Sequence, residues 1–194
     1  MPDWLQPEAP MYAGHLDLTC PLVWEVDAAL STTRCDQYIQ KLRQHQQEQA
    51  PVITREGVEV DLKVRDNTRV MWDDEAEANE LLSLVKSTVP EKLLGKALKG
   101  GNPRLRLYRY QPGQHHAAHW DTVVELPGGV QSLLTLVFYL NDDFEGGQTD
   151  FPELRKTVTP RKGRALLFQH RVLHEACRVL SGEKYVLRTD ILYR

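Results

Sequence analysis

His119 and Asp121 flank a single tryptophan, and His174 follows more than fifty residues later. In an extended strand the side chains at i and i+2 point to one face, so the pair offers an imidazole nitrogen and a carboxylate oxygen side by side. A third ligand from His174 would complete two histidines and one carboxylate. That set holds non-haem Fe(II) and leaves coordination positions open. Trp120, between the pair, must face the other side of the strand and is expected to pack in the core. By itself the pair suits zinc, iron or nothing, because His-x-Asp arises easily by chance.

The elements that must position these residues are short strands. Leu105 to Tyr110 reads as a strand broken by Pro112-Gly113, and Ser132 to Leu140 is a β-rich apolar run. Thr149–Phe151, Thr157–Thr159, Ala165–Phe168 and Tyr185–Tyr193 follow between Gly and Pro turns. Many closely spaced strands argue for an all-β barrel or sandwich rather than a parallel α/β sheet. Before them the pattern is mixed. Residues 1 to about 20 carry three prolines and no periodicity and are expected to be irregular, and Leu22–Val26 is a strand candidate. Ser31 caps a helix with Cys35, Tyr38, Ile39 and Leu42 on one side, and Gln44–Gln49 reads as its polar end. Val58, Val60, Leu62 and Val64 alternate with polar residues. The Ile53–Arg69 stretch with its Gly57 turn is therefore a peripheral hairpin, or else a flap over a site. A second helix runs from an Asp73 cap to Lys86, with Leu81, Leu82 and Val85 together. Pro90 suits the first turn of a third, stopping at Gly100-Gly101.

Composition narrows the class. The 194 residues fit a single domain, helical support with peripheral strands over about 1–102 and the β core over about 103–194. Twenty-four basic against 27 acidic residues give a net charge of −3, which offers no footprint for nucleic acid or an anionic membrane. No apolar run reaches spanning length, and the first residues lack the pattern of a signal peptide. Three scattered cysteines make no disulfide framework, so a reduced, cytoplasmic protein is expected.

From Arg104 onward the chain resembles the prolyl 4-hydroxylase-like branch of the Fe(II)/2-oxoglutarate-dependent oxygenases. The matching string is Tyr110-Gln111-Pro112-Gly113-Gln114, His119-Trp120-Asp121, Phe138-Tyr139-Leu140-Asn141-Asp142, Gly146-Gly147-Gln148-Thr149-Asp150-Phe151, His174-Glu175-Ala176 and Gly182-Glu183-Lys184-Tyr185. The resemblance implies a mainly β fold with N-terminal helices, a double-stranded β-helix (jelly roll) supported by helices on one face. It implies Fe(II), 2-oxoglutarate as co-substrate and O2, with ascorbate in support, and hydroxylation of a C–H bond with release of succinate and CO2. The substrate would be a protein or peptide residue or a small molecule. The oligomeric state stays open.

Carried over residue by residue, the resemblance makes His119, Asp121 and His174 the iron ligands. Lys184, ten residues after His174, matches the basic residue that holds the far carboxylate of 2-oxoglutarate; a compact ammonium suits a single carboxylate at the closed end of a pocket. Tyr110 matches a tyrosine that hydrogen-bonds the co-substrate, and Tyr139 and Thr149 match positions lining the same pocket, where a structural role is an equal reading. Related halogenases carry a small residue in place of Asp121, so the carboxylate favours hydroxylation.

Two neighbours need separate treatment. His170 lies four residues before His174, and the spacing to Gly182 and Lys184 selects His174 as the ligand. His170 is then expected behind the ligands or exposed. Arg188 shares a strand face with Lys184 and Val186, and a buried arginine needs an acid such as Asp190, or else an anion of the co-substrate or substrate.

A zinc hydrolase could use the same three ligands but needs a general base. Glu175 stands beside a ligand yet faces away on a strand. A non-catalytic jelly-roll binding module is the third reading. Substrate choice would reside in Ile53–Arg69 and in Thr122–Gln131 with its Pro127-Gly128-Gly129 turn.

Overall fold

A computed structural model describes residues 15–54, 57–59 and 61–194, and their side chains outside 52–60. Ten antiparallel strands form the larger sheet. Its path runs Val23–Val26, Ala165–Gln169, Val130–Tyr139, Lys184–Tyr193, Arg104–Tyr110, Thr68–Asp73 and Glu48–Gln49. Strands from before residue 103 thus extend both flanks of the sheet. A four-stranded sheet lies opposite, ordered Lys156–Val158, Thr149–Phe151, His174–Ala176 and His116–His119. Two facing antiparallel sheets, the larger backed by helices, are the expected jelly roll.

Side-chain parity divides the large sheet into two faces. Leu105, Leu107, Leu134, Leu136, Phe138, Leu167 and Leu187 all turn toward the helices and fill one buried cluster. Their neighbours of opposite parity, Tyr108, Tyr110, Tyr139, Leu166, Phe168 and Val186, face the small sheet in a second cluster. Both faces are covered, so these strands read as nearly continuous apolar runs. A fully buried leucine contributes on the order of 2 kcal/mol. Truncating Leu107, which is fully buried, would cost roughly 2–5 kcal/mol.

The helices are cut by their caps. Ser31 accepts the Arg34 N–H at 3.3 Å and opens α1, Thr32–Gln44, which buries Cys35, Tyr38 and Leu42. The polar tail does not continue it. Beyond Gln44 a helix would have no apolar residue to bury, and Glu48–Gln49 instead pair with Arg69 and Thr68 as an edge strand. The second helix, α2, spans Glu75–Ser83 and is capped by Asp74, which accepts the Glu77 N–H at 2.9 Å. Asp73 ends the preceding strand and pairs with Arg104, so the cap sits one residue later than the sequence suggests.

The third helix is absent. Lys92–Leu93 and Lys96–Gly101 form a hairpin across Leu94 and Gly95, at φ 52° and 77°. A two-residue turn with both residues at positive φ matches the twist of its flanking strands. The hairpin's second strand then pairs with the end of Lys184–Tyr193, which satisfies its backbone.

Among the described residues Val52–Thr54 and Gly57–Glu59 pair only with each other, as a peripheral hairpin would. Gly57 lies in a strand rather than the turn. Val60 lies outside the described residues. Leu62 and Val64 fall in a turn closed by the Val64 and Arg65 N–H groups on Asp61 O. Among the described residues no helix is long and apolar enough to cross a membrane.

Candidate metal and co-substrate site

His119 and His174 are direct cross-strand partners in the small sheet. Each Nδ1 lies against the carbonyl two residues earlier, His119 on Ala117 at 2.7 Å and His174 on Val172 at 3.0 Å. Nδ1–H donating there leaves Nε2 as the free lone pair, the arrangement that orients a metal-binding imidazole. Both Nε2 atoms face Asp121, at 3.8 Å from Oδ1 and 3.7 Å from Oδ2. One ligand atom from each of the three residues lies within 4.8 Å of the others. Asp121 stands two residues past the end of its strand. Its N–H donates to His170 O at 2.9 Å, and that bond turns the carboxylate inward.

Protonation already suits a cation. Burial lowers His119 to about 3, with His174 adding to the effect, and burial lowers His174 as well. Both imidazoles are therefore neutral at neutral pH. Burial alone would raise Asp121, but the Arg188 charge outweighs it and holds the carboxyl well below its usual range. Arg188 Nη2 is 2.9 Å from Asp121 Oδ1, and Thr135 donates its hydroxyl to Oδ2 at 2.5 Å. Behind Arg188, Asp190 lies 3.3 Å away and also receives Arg106 and Asn102, each at 3.2 Å. Of the partners left open for Arg188, the structure supplies two acids, Asp190 and Asp121.

Beside this cluster opens a cavity. Lys184 lines it, 2% exposed, and donates to Gly147 O at 2.6 Å. No carboxylate among the described residues pairs with it, and burial lowers it to about 8. Gly147, at φ 64°, lets its loop pass this close, since a Cβ there would stand 3.1 Å from Lys184 Cδ. Tyr139 and Thr149 share a hydroxyl hydrogen bond of 2.7 Å. Tyr110 pairs across strands with Lys184, whose Nζ is 5.3 Å from its ring. Burial raises the Tyr110 hydroxyl to about 12, so it stays protonated and able to donate. Every site residue named from the sequence reaches this one region.

Trp120 is the exception among the neighbours. It is 43% exposed, not core. Leaving the sheet after His119 removes the opposite strand face against which it was expected to pack. His170 is 2% exposed and stands behind the ligands, with Nε2 3.7 Å from Asp190 Oδ1.

Several lining residues escaped sequence reasoning, among them Thr135, His116 and Arg65. Thr135 carried a signal, as a polar residue inside an apolar strand. His116 stacks on His119 with centroids 3.6 Å apart. Arg65 enters from the 61–67 segment, and no periodicity marked it. The lining contains no glutamate, and Glu175 faces Asp150 across the small sheet.

A family model described as the 2OG-Fe(II) oxygenase superfamily matches residues 105–189, the stretch that supplies the histidine pair, Asp121 and Lys184. That stretch of the chain is similar to this superfamily. The family implies Fe(II), 2-oxoglutarate and O2. Neutral imidazoles, a charged carboxylate and a buried ammonium with no acid beside it fit the metal and the dicarboxylate. Prolyl 4-hydroxylase 1 of Arabidopsis thaliana is 35% identical over 106 residues, 42% of this chain and 38% of that protein. The chain thus spans about two fifths of that relative's length. The oxygenase fold itself is shared more widely. A prolyl-4-hydroxylase from Pseudomonas putida superposes with a TM-score of 0.66 at 17% identity, covering 92% of this chain and 96% of that one. A Trichoplax adhaerens prolyl hydroxylase, solved with a hypoxia inducible factor peptide fragment, gives 0.63 at 19% identity, covering 90% and 84%.

Proposed function

We propose that this chain is an Fe(II)- and 2-oxoglutarate-dependent dioxygenase that hydroxylates a C–H bond of a protein or peptide residue, with release of succinate and CO2. The observation that carries the reading is Lys184, a buried ammonium without an acid, in one cavity with the two-histidine, one-carboxylate cluster. The names of the relatives support prolyl hydroxylation of a peptide as the first activity to test.

When bound, Fe(II) with 2-oxoglutarate and O2 supplies the oxidising power that inserts one oxygen atom into the substrate. The chain's own residues supply position and a dry setting. His119, Asp121 and His174 would hold the metal. Ala117 O and Val172 O fix the two imidazole tautomers, while Arg188 and Thr135 fix the carboxylate. Lys184 would take the far carboxylate of 2-oxoglutarate, with the Tyr139–Thr149 hydroxyl pair and Tyr110 beside it. Leu166, Phe168 and Val186 line the apolar wall and keep water from the reacting centre.

The reading is tested by succinate release against peptides and small molecules, with product mass read for the gain of one oxygen. Coupled release with a peptide is the expected result. Tight zinc retention with no 2-oxoglutarate turnover would contradict it.

A further inference from the structure

Arg65 is 7% exposed and lines the same cavity as Lys184. Its segment is fastened to the edge of the small sheet. Arg65 bridges to His116, the Ala117 N–H donates to Val64 O at 2.8 Å, and the His115 N–H donates to Asp66 Oδ1 at 2.7 Å. The guanidinium lies 4.6 Å from the centre of the Tyr108 ring. Nε donates to Asn67 Oδ1 at 2.8 Å and Nη1 to Pro51 O at 3.5 Å. No carboxylate among the described residues pairs with it.

We propose that Arg65 is a specificity-determining residue that receives a carboxylate of the substrate. The inference rests on the oxygenase reading and adds the chemical class of what is hydroxylated. Three cations line the cavity, Arg65, Lys184 and Arg188. Asp121 and Asp190 answer Arg188. With metal and co-substrate bound, the two carboxylates of 2-oxoglutarate answer the metal and Lys184. Arg65 remains as a buried cation without an anion, an arrangement that is costly unless a partner arrives. Whatever enters after the co-substrate supplies that partner. The planar fork of a guanidinium matches a carboxylate with two parallel hydrogen bonds. One positive charge also balances one carboxylate, whereas a phosphate group carries nearly two negative charges. The carboxylate comes either from a free or chain-terminal acid or from an acidic side chain next to the hydroxylated residue.

The test uses the full chain loaded with Zn(II) and 2-oxoglutarate, which binds without turning over. Calorimetric titration compares N-acetyl amino acids with their own N-methylamides, and acetyl-Pro-Glu-amide with acetyl-Pro-Gln-amide. The acid member of at least one kind of pair should bind roughly tenfold tighter or more, as a charged hydrogen bond would give. The first kind of pair identifies a free or terminal carboxylate and the second an acidic side chain. In Arg65→Met the preference should vanish while 2-oxoglutarate affinity stays unchanged, and in Arg65→Lys it should survive in weaker form. Equal binding of acid and neutral partners by the wild-type protein, a comparison that needs no variant, would overturn the inference alone. A preference that persists in Arg65→Met would do the same. Failure of the wild-type protein to bind 2-oxoglutarate at all would overturn the oxygenase reading, and this inference with it.

Discussion

Arg188 Nη2 lies 2.9 Å from Asp121 Oδ1, so a buried cation grips the carboxylate that would bind the metal. Burial by itself would lower the Arg188 pKa, but Asp121 and Asp190 outweigh burial and raise it. Without metal, Arg188 is the cation that compensates Asp121.

Removing that cation should therefore unbalance the metal-free protein most. Arg188→Met is expected to cost the apoprotein about 3 kcal/mol, the typical loss when one partner of a buried pair is removed. Added Zn(II) or Fe(II) should then raise the melting temperature more than in wild type, because the metal replaces the lost charge. Thermal denaturation with and without metal measures both effects; equal metal-induced shifts would refute the competition.

Lys184 gives co-substrate binding a pH dependence of known sign. Burial lowers its pKa from 10.5 to about 8 in the free protein, and a bound carboxylate would raise it again. Affinity for 2-oxoglutarate is thus fully present below pH 8 and falls as pH rises through that value, by up to about tenfold per unit. Lys184→Met should weaken binding roughly tenfold or more at neutral pH and flatten the profile. Calorimetric titrations across pH, with metal affinity as control, check both.

The two histidines four residues apart should separate cleanly. His174→Ala removes a ligand atom and should abolish Fe(II) binding. His170→Ala keeps the backbone carbonyl that takes the Asp121 N–H and should leave Fe(II) bound. Equilibrium metal titration gives the answer, and the reverse pattern would reassign the cluster.

Tyr139→Phe deletes half of the Tyr139–Thr149 hydroxyl pair and strands the Thr149 hydroxyl, which is 8% exposed. An uncharged hydrogen bond of this kind contributes about 1 kcal/mol. The affinity for 2-oxoglutarate should fall about fivefold with the metal unaffected; an unchanged value would make the pair purely structural.

Local signals made much of the core legible. The β-rich runs Ser132–Leu140 and Tyr185–Tyr193, the Ser31 cap and the apolar set Leu81, Leu82 and Val85 each specify their element without tertiary help. The ligand pair was readable from its spacing, although Asp121 lies past the strand end and is turned inward by its N–H on His170 O rather than by strand parity. Sequence reasoning fails where distant partners decide. Lys92–Gly101 is a hairpin because the end of Lys184–Tyr193 needs a neighbour, and nothing within ten residues says so. Trp120 is exposed because the strand stops at His119. Arg65 reaches the cavity through its segment's contacts with residues 115–117. Asp190 could be named as a partner of Arg188, but the 2.9 Å contact with Asp121 depends on three separate segments meeting.

The central claim is that His119, Asp121 and His174 hold Fe(II) in one cavity with a Lys184 that binds 2-oxoglutarate. Anaerobic addition of 2-oxoglutarate to the Fe(II)-loaded protein tests it most directly through the weak visible charge-transfer band of the complex. The band should form in the wild-type protein, require far more 2-oxoglutarate in Lys184→Met, and be absent in His174→Ala. No band in a wild-type protein that retains zinc tightly, or a Lys184→Met protein with undiminished affinity, would contradict the account.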